Sequence, residues 1–232
     1  NTTENEFYYY NPSNVFGSDS YFNPINLILN GSYDILRNGS LYNGTKDITE
    51  ISYNKSFHNI MKNIQSPIKY INIYGSKKFI ELEIFNLNFD PSKGHFLPNI
   101  ANHVIGNGML YVKLEEWYKY NNYPTPKFLS ITTTMFYQLL NEVVEHPASN
   151  KFYINIDSIS DLLIFNPLGY LLFSFDSVKR LFSETIPVYD WSSQPIINLG
   201  NKFLENAGQN YILVLSPLRF GKFEPFIYWG IH

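Results

Sequence analysis

The chain has 232 residues, with 17 Lys+Arg against 20 Asp+Glu, a formal net charge of -3 at pH 7, and no cysteine. That balance excludes the basic stripe that displaces counterions from nucleic acid. The lack of thiols excludes disulfides, thiolate catalysis and cysteine-based zinc sites. Aromatic residues reach 18% while charged residues are only 16%, against about 25% charged in an ordinary soluble domain. Much of the surface must therefore be Tyr-, Phe- and Asn-rich. Such a surface suits contact with lipid, carbohydrate or a partner, because Tyr and Trp favour boundaries wet on one side only. Coding bias toward Asn, Lys, Ile, Tyr and Phe yields the same composition.

No window offers the roughly 18 uninterrupted apolar residues of a spanning helix, so a membrane contact is expected to be in-plane or made by β-strands. The chain begins at Asn1 with no basic, apolar leader, as expected of a processed form or a fragment.

Residues 1–19 are polar and Tyr-bearing with NPSN and GSDS turn clusters, which predicts an extended arm whose NEFYYYN run could add a strand. In NPINLILNGSYDILRNG, Asn23 can cap a helix with Pro24 at its first position, and Asn30-Gly31 breaks it. Residues 38–56 are loop by composition, and Phe57, Ile60, Met61 and Ile64 stand at helical spacing. IKYINIY alternates, GSKK reads as a turn, and FIELEIF sets Ile80, Leu82 and Ile84 opposite Glu81 and Glu83. A hairpin is favoured, although the second half also fits a helix. FDPSKGHFLPN is then a loop carrying His95.

Three apolar helices follow between Pro98 and Leu181, and the chain is organised around them. In the first, His103 shares a stripe with Asn107, Leu110, Leu114 and Trp117, facing the core. Gly106 and Gly108 each weaken a helix by about 1 kcal/mol, a cost usually accepted where another group must come close. The second starts at Thr125-Pro126 and presents Phe128, Met135, Phe136, Leu139 and Val143 as its apolar face. Glu142 stands at the edge of that face, His146 on it before Pro147, and Glu145 in the polar arc beside Gln138 and Thr134, where it serves as a solvated control. In the third, capped by Asp157, Asp161 shares a face with Phe165, Leu168 and Leu172, with a break expected at Asn166-Pro167 and close packing at Gly169. A structural reason also exists for Asp161, since an acid in a first turn gains from the helix dipole.

IPVYDWSSQPIINLG reads as coil with short extended pieces. GQNYILVLSPL and KFEPFIYWGIH are two apolar strands joined by RFGK, with both faces apolar, as in buried or lipid-facing strands. The expected class is α+β: a cluster of three apolar helices flanked by short strands, with the C-terminal antiparallel strands as the start of a β-barrel. The expected organisation is one domain, with residues 1–97 as arm, loops and hairpin, 98–183 as helical core, and 184–232 as coil followed by strands that continue past His232.

His103, Glu142 and Asp161 are the candidate catalytic residues. A His–carboxylate pair with a second carboxylate is the minimum for acid–base catalysis in a dry site. The same three groups also fit a structural cluster that fixes the helices. No serine elbow, phosphate loop or HExxH accompanies them. A metal site needs three or four converging ligands, and with one good histidine and two carboxylates no metal or cofactor is expected.

The order of NPINLILNGSYDILR, LPNIANHVIGNGMLYVKLEEWY, NEVVEHPAS, DSISDLLIFNPLGYLLF and LENAGQNYILVLSPL resembles an uncharacterised bacterial cell-envelope family, domain of unknown function 3943. The resemblance covers most of residues 22–218, with His103, Gly108, Tyr111, Glu142, Asp161, Pro167 and Gly169 as the matching positions. It implies export to the envelope, association with the outer membrane or its periplasmic face, membrane lipid or an envelope protein as partner, and a family without an established reaction. Two functions follow as expectations: a scaffold or a lipid- or partner-binding protein, and a lipid-directed hydrolase or transferase using the His–carboxylate cluster.

Overall fold

The computed structural model describes residues 7–14, 18–29, 52–85, 100–145, 156–190, 195–198, 203–206, 211–215 and 227–231. Its centre is a helix that buries nearly its whole circumference. This element, α5, starts as a π-helical turn over Ile100–Gly106 and continues as α-helix over Asn107–Tyr120. Met109, Leu110, Tyr111, Val112, Leu114 and Tyr118 are buried in one cluster with Tyr137, Phe173, Val188 and Tyr211. Each large apolar side chain buried this way contributes about 1.5–3 kcal/mol.

The N-terminal elements pack outward from this axis. In α1, residues 24–29, Asn23 Oδ1 accepts the N–H of Asn26 at 2.9 Å, the cap expected from Asn-Pro. Next come α2 (Tyr53–Gln65), α3 (Pro67–Tyr74) and α4 (Ser76–Phe79, widening to a π turn over Ile80–Ile84). The expected hairpin at IKYINIY–FIELEIF is therefore wrong. Pro67 opens α3, Gly75 ends it at φ 104°, and Tyr70, Ile71 and Tyr74 pack with Ile84 around Phe79, Ile156 and Ile159. Helical i, i+3 and i, i+4 neighbours thus outweighed a short alternation.

The second long helix, α6 (Pro126–Glu145), lies antiparallel to α5 after a tight turn in which Asn122 and Thr125 take positive φ. The third, α7, combines Asp157–Ser160, a π turn over Asp161–Phe165, and Asn166–Leu172. No break occurs at Asn166-Pro167. The π turn leaves the proline at the start of a fresh α-helical segment, where a missing N–H costs little. The chain bends later, by 88°, between Leu172 and Asp176, into α8 (Asp176–Arg180 with a π turn over Leu181–Thr185).

Five short strands complete the described chain: β1 (Val188–Asp190), β2 (Pro195–Asn198), β3 (Phe203–Asn206), β4 (Tyr211–Leu215) and β5 (Ile227–Ile231). They form an antiparallel sheet in the order β1-β4-β5 and a separate β2-β3 hairpin. The protein is thus mostly helical with small antiparallel sheets. The expectation of a barrel gains no support from a three-stranded sheet, and His95 and His146 lie outside the described residues.

The N-terminal arm is held by one carboxylate. Glu116 Oε1 accepts the N–H of Tyr8 at 2.7 Å, and Oε2 those of Tyr9 and Tyr10, both at 2.9 Å. The backbone of the FYYY run is thereby satisfied without joining a sheet. Burial pushes the Glu116 carboxyl above its ordinary value, while these three donors pull it down. Glu116→Gln replaces one acceptor oxygen by a donor that faces another N–H. It is expected to cost about 2 kcal/mol, the scale of a hydrogen bond to a charged group, measured by urea unfolding, and to speed proteolysis at residues 7–14.

Candidate functional site

Helix α6 packs with its amphipathic pattern reversed. Ser130, Thr134 and Gln138 are 0% exposed, Glu142 is 2% and Asn141 3%, whereas Phe128 is 66%, Phe136 49% and Met135 41% exposed. The expected apolar face thus points outward along much of its length, and the polar arc that included Thr134 and Gln138 points inward. Leu139 and Val143 alone of the expected face pack inside, against Ile60 and Leu162. Glu142 is consequently part of a buried polar seam and not the edge of an apolar one. The Glu145 side chain falls outside the described part.

The seam faces polar groups on α5 and α7. Thr134 Oγ1 shares a 2.9 Å hydrogen bond with the Tyr170 hydroxyl, Ser130 Oγ donates to the Tyr111 carbonyl, and the Tyr111 and Tyr170 rings meet at 5.3 Å. Burial pushes the Tyr170 hydroxyl up. Helix α7 repeats the reversal. Ser158, Ser160 and Asn166 are 0% exposed and Asp161 2%, while Leu163, Ile164, Leu168 and Leu171 are 37–58% exposed.

The π turn of α7 explains where its polar groups fall. On a regular α-helix, residues five apart lie about 140° apart around the axis. Here the Asn166 N–H bonds the carbonyl of Asp161, which brings residue 166 back over residue 161 on the same face. Phe165 stays buried as expected, but Leu168 is rotated outward, and Asn166 and Gly169 take the inner positions. Gly169 lies against α5 so closely that a Cβ there would stand 2.9 Å from the His103 carbonyl oxygen and 2.8 Å from that of Val104.

The three helices bring together all three residues singled out from the sequence. A ligand-capable atom of each of His103, Glu142 and Asp161 lies within 4.8 Å of the others. His103 Nε2 is 3.4 Å from Asp161 Oδ2, with the two side chains 14% and 3% exposed. His103 Nδ1 is 3.1 Å from Asn166 Oδ1, which also accepts from Asn107 Nδ2 at 3.3 Å. Asn166 Oδ1 has no hydrogen to give, so it fixes the proton of His103 on Nδ1 and turns Nε2 toward the carboxylates. Helical spacing placed Asn107 on the His103 stripe, but Asn166 was expected only to mark a helix break. The recurrence of Ser130, Thr134, Gln138 and Glu142 every four residues on α6 was the available signal for the buried seam.

Two acceptors, a carboxylate oxygen and a lone-pair nitrogen, repel unless a cation stands between them. The arrangement suits either a proton shared between Nε2 and the carboxylate or a metal ion. The first supplies acid–base chemistry and the second a Lewis acid. The chain matches no protein-family model, no curated protein and no solved structure.

Gly169→Ala tests the close approach of α5 and α7. The added methyl has no room against two backbone oxygens, so the helices must separate, at an expected cost of about 1–3 kcal/mol for overpacking. The chemical unfolding midpoint reads the loss, and the His103 ring signals in an NMR spectrum should shift with it.

Proposed function

We propose that the chain is a bacterial cell-envelope protein, associated with the outer membrane or its periplasmic face, that lays an apolar helical surface against membrane lipid and shelters a polar centre beneath it. One observation carries this reading: α6 exposes Phe128, Met135 and Phe136 while burying Ser130, Thr134, Gln138 and Glu142. In water that arrangement is unfavourable on both counts, because apolar surface stays wet and polar groups are desolvated. Against hydrocarbon both costs reverse, and polar residues of lipid-facing helices characteristically turn to the bundle interior. The exposed Leu163, Ile164, Leu168, Leu171 and Phe175 repeat the pattern on α7 and the bend that follows it.

Aromatic residues gather where α5 turns into α6. Trp117, Tyr118 and Tyr123 pack edge to face or tilted, and Tyr120 and Tyr123 are about half exposed. Rings with one apolar and one polar end suit the headgroup level. Among the described residues no single helix is long and apolar enough to cross a membrane, so in-plane contact is the form proposed. The family resemblance and a barrel begun by β4 and β5 belong to the same proposal. They rest on the order of the matching segments and on the apolar character of both strand faces.

Replacing Phe128, Met135 and Phe136 together by serine should weaken binding to phosphatidylethanolamine–phosphatidylglycerol vesicles about 100-fold, at roughly 1 kcal/mol per side chain. Stability in water should be unchanged or raised. Sedimentation with vesicles measures the first and thermal unfolding the second. Failure of the unmodified chain to bind vesicles sinks the lipid reading.

The geometry of His103 favours a second reading, a lipid-directed hydrolase or transferase with His103 as general base oriented by Asn166, and Asp161 and Glu142 stabilising its charged form. On phospholipid ester substrates His103→Ala should then lower turnover by about 100- to 10,000-fold while the unfolding midpoint holds. A scaffold gives the opposite pair of results, no turnover in the unmodified chain and a large fall in stability in the variant.

A further inference from the structure

We infer that His103 Nε2, a Glu142 carboxylate oxygen and an Asp161 carboxylate oxygen form a binding site for one divalent transition-metal ion of the zinc or manganese type. This goes beyond the lipid-contact reading and does not depend on it, and it replaces the general-base reading of His103, because an Nε2 that ligates an ion has no lone pair to take a proton. The donor set is one imidazole nitrogen and two carboxylate oxygens, each from a different helix, with the three atoms within 4.8 Å of one another.

Geometry favours a metal over a shared proton between His103 and Asp161. Ligand atoms at about 2.0–2.2 Å from a tetrahedral zinc ion stand about 3.4 Å from each other. His103 Nε2 and Asp161 Oδ2 are separated by 3.4 Å. A charge-assisted N–H to carboxylate bond is shorter, about 2.7–2.9 Å. The separation matches that of two ligands on one ion, and modest side-chain adjustment closes the 4.8 Å set around it. Two carboxylates also give the site the negative charge that a divalent cation requires.

The second observation is the shell behind His103. A metal-bound histidine characteristically donates its other ring N–H to a carbonyl or carboxylate, which sets the tautomer and aims the ligand. Asn166 Oδ1 accepts from His103 Nδ1 at 3.1 Å and is itself held by Asn107 Nδ2 at 3.3 Å. Both asparagines are 0% exposed. Asn166 Nδ2 and Asn107 Oδ1 are buried with no hydrogen-bond partner among the described residues. Among the described residues three protein ligands meet, the number that catalytic zinc centres use. Magnesium and calcium prefer six or more oxygens, so this smaller set with an imidazole favours a transition ion.

The test uses the full chain, stripped with a chelator, reloaded separately with zinc, manganese, magnesium or calcium, dialysed, and assayed by elemental analysis and thermal unfolding. Retention of about one zinc or manganese per chain, with a raised unfolding temperature, is the expected result. Glu142→Gln and Asp161→Asn should each weaken metal binding at least 100-fold. Asn166→Ala, which touches no ion directly, should weaken it about 10- to 100-fold. Glu81→Gln, on an exposed helix surface, should leave it unchanged. Retention of no ion by folded, unmodified chain overturns the proposal, as does full retention by folded Asp161→Asn. The two readings fail separately. Vesicle binding without metal retention removes only the ion, and metal retention without vesicle binding removes only the lipid surface.

Discussion

The structure depends on one amide. Asn166 accepts from His103 and from Asn107 through a single oxygen, so it joins α5 to α7 and also orients the imidazole toward the acids. It can do so only because the π turn returns residue 166 to the face of residue 161, and because Gly169, three residues on, lets the two backbones touch. A regular helix would carry Asn166 away from Asp161, and a side chain at 169 would hold the helices apart. Local backbone geometry, close packing and site chemistry are here consequences of the same short stretch, Asp161 to Gly169.

Around that stretch a buried polar seam runs beside apolar clusters. The buried faces of α6 and α7 carry hydroxyls, amides and carboxylates beside Tyr137, Val143, Ile159, Leu162 and Phe165, and their outer faces expose Phe, Met, Leu and Ile. The conventional apolar core has not vanished. It is displaced to the sides of α5, where Met109, Leu110, Leu114, Tyr137 and Phe173 pack away from the polar seam. Stability and chemistry are thereby assigned to different faces of one central helix, which leaves the polar centre free of the volume constraints of a close-packed core. Hydrogen bonds made inside such a centre gain strength from the low local dielectric, and for the same reason every polar group left unmatched there is costly.

Seven of the residues singled out in the sequence fall on these contacts. His103, Glu142 and Asp161 meet, Gly169 admits the approach that allows it, Pro167 starts the segment after the π turn, and Tyr111 supports the seam beside Tyr170. Gly108 is pressed under the ring of Phe173. Each of these positions therefore has a physical task in this fold.

Caps and turn residues were readable directly, because they act within a few bonds: Asn23-Pro24, Thr125-Pro126 and the C-terminal strands lie where the local chemistry puts them. Helical spacing likewise placed His103 on a core-facing stripe and Asp161 on a face with Phe165, but Glu142 only at the edge of an apolar face that turns outward. Periodicity, however, divides a helix into two faces without saying which one turns inward. On α6 that sign was reversed, since it is set by what the neighbouring helices and the surrounding solvent offer to each face. The hairpin expected at residues 68–84 failed for a related reason. A few alternating residues fit either period, and only packing against Ile156 and Ile159 selects the helix. The π turns, and with them the role of Asn166, belong wholly to the tertiary structure. An inserted residue alters no composition or spacing rule, and it is stable only when neighbouring helices hold the widened turn in place. The sequence alone thus determined which polar residues lie on helices able to meet. Packing between the helices decided which way those residues face and how far apart they stand.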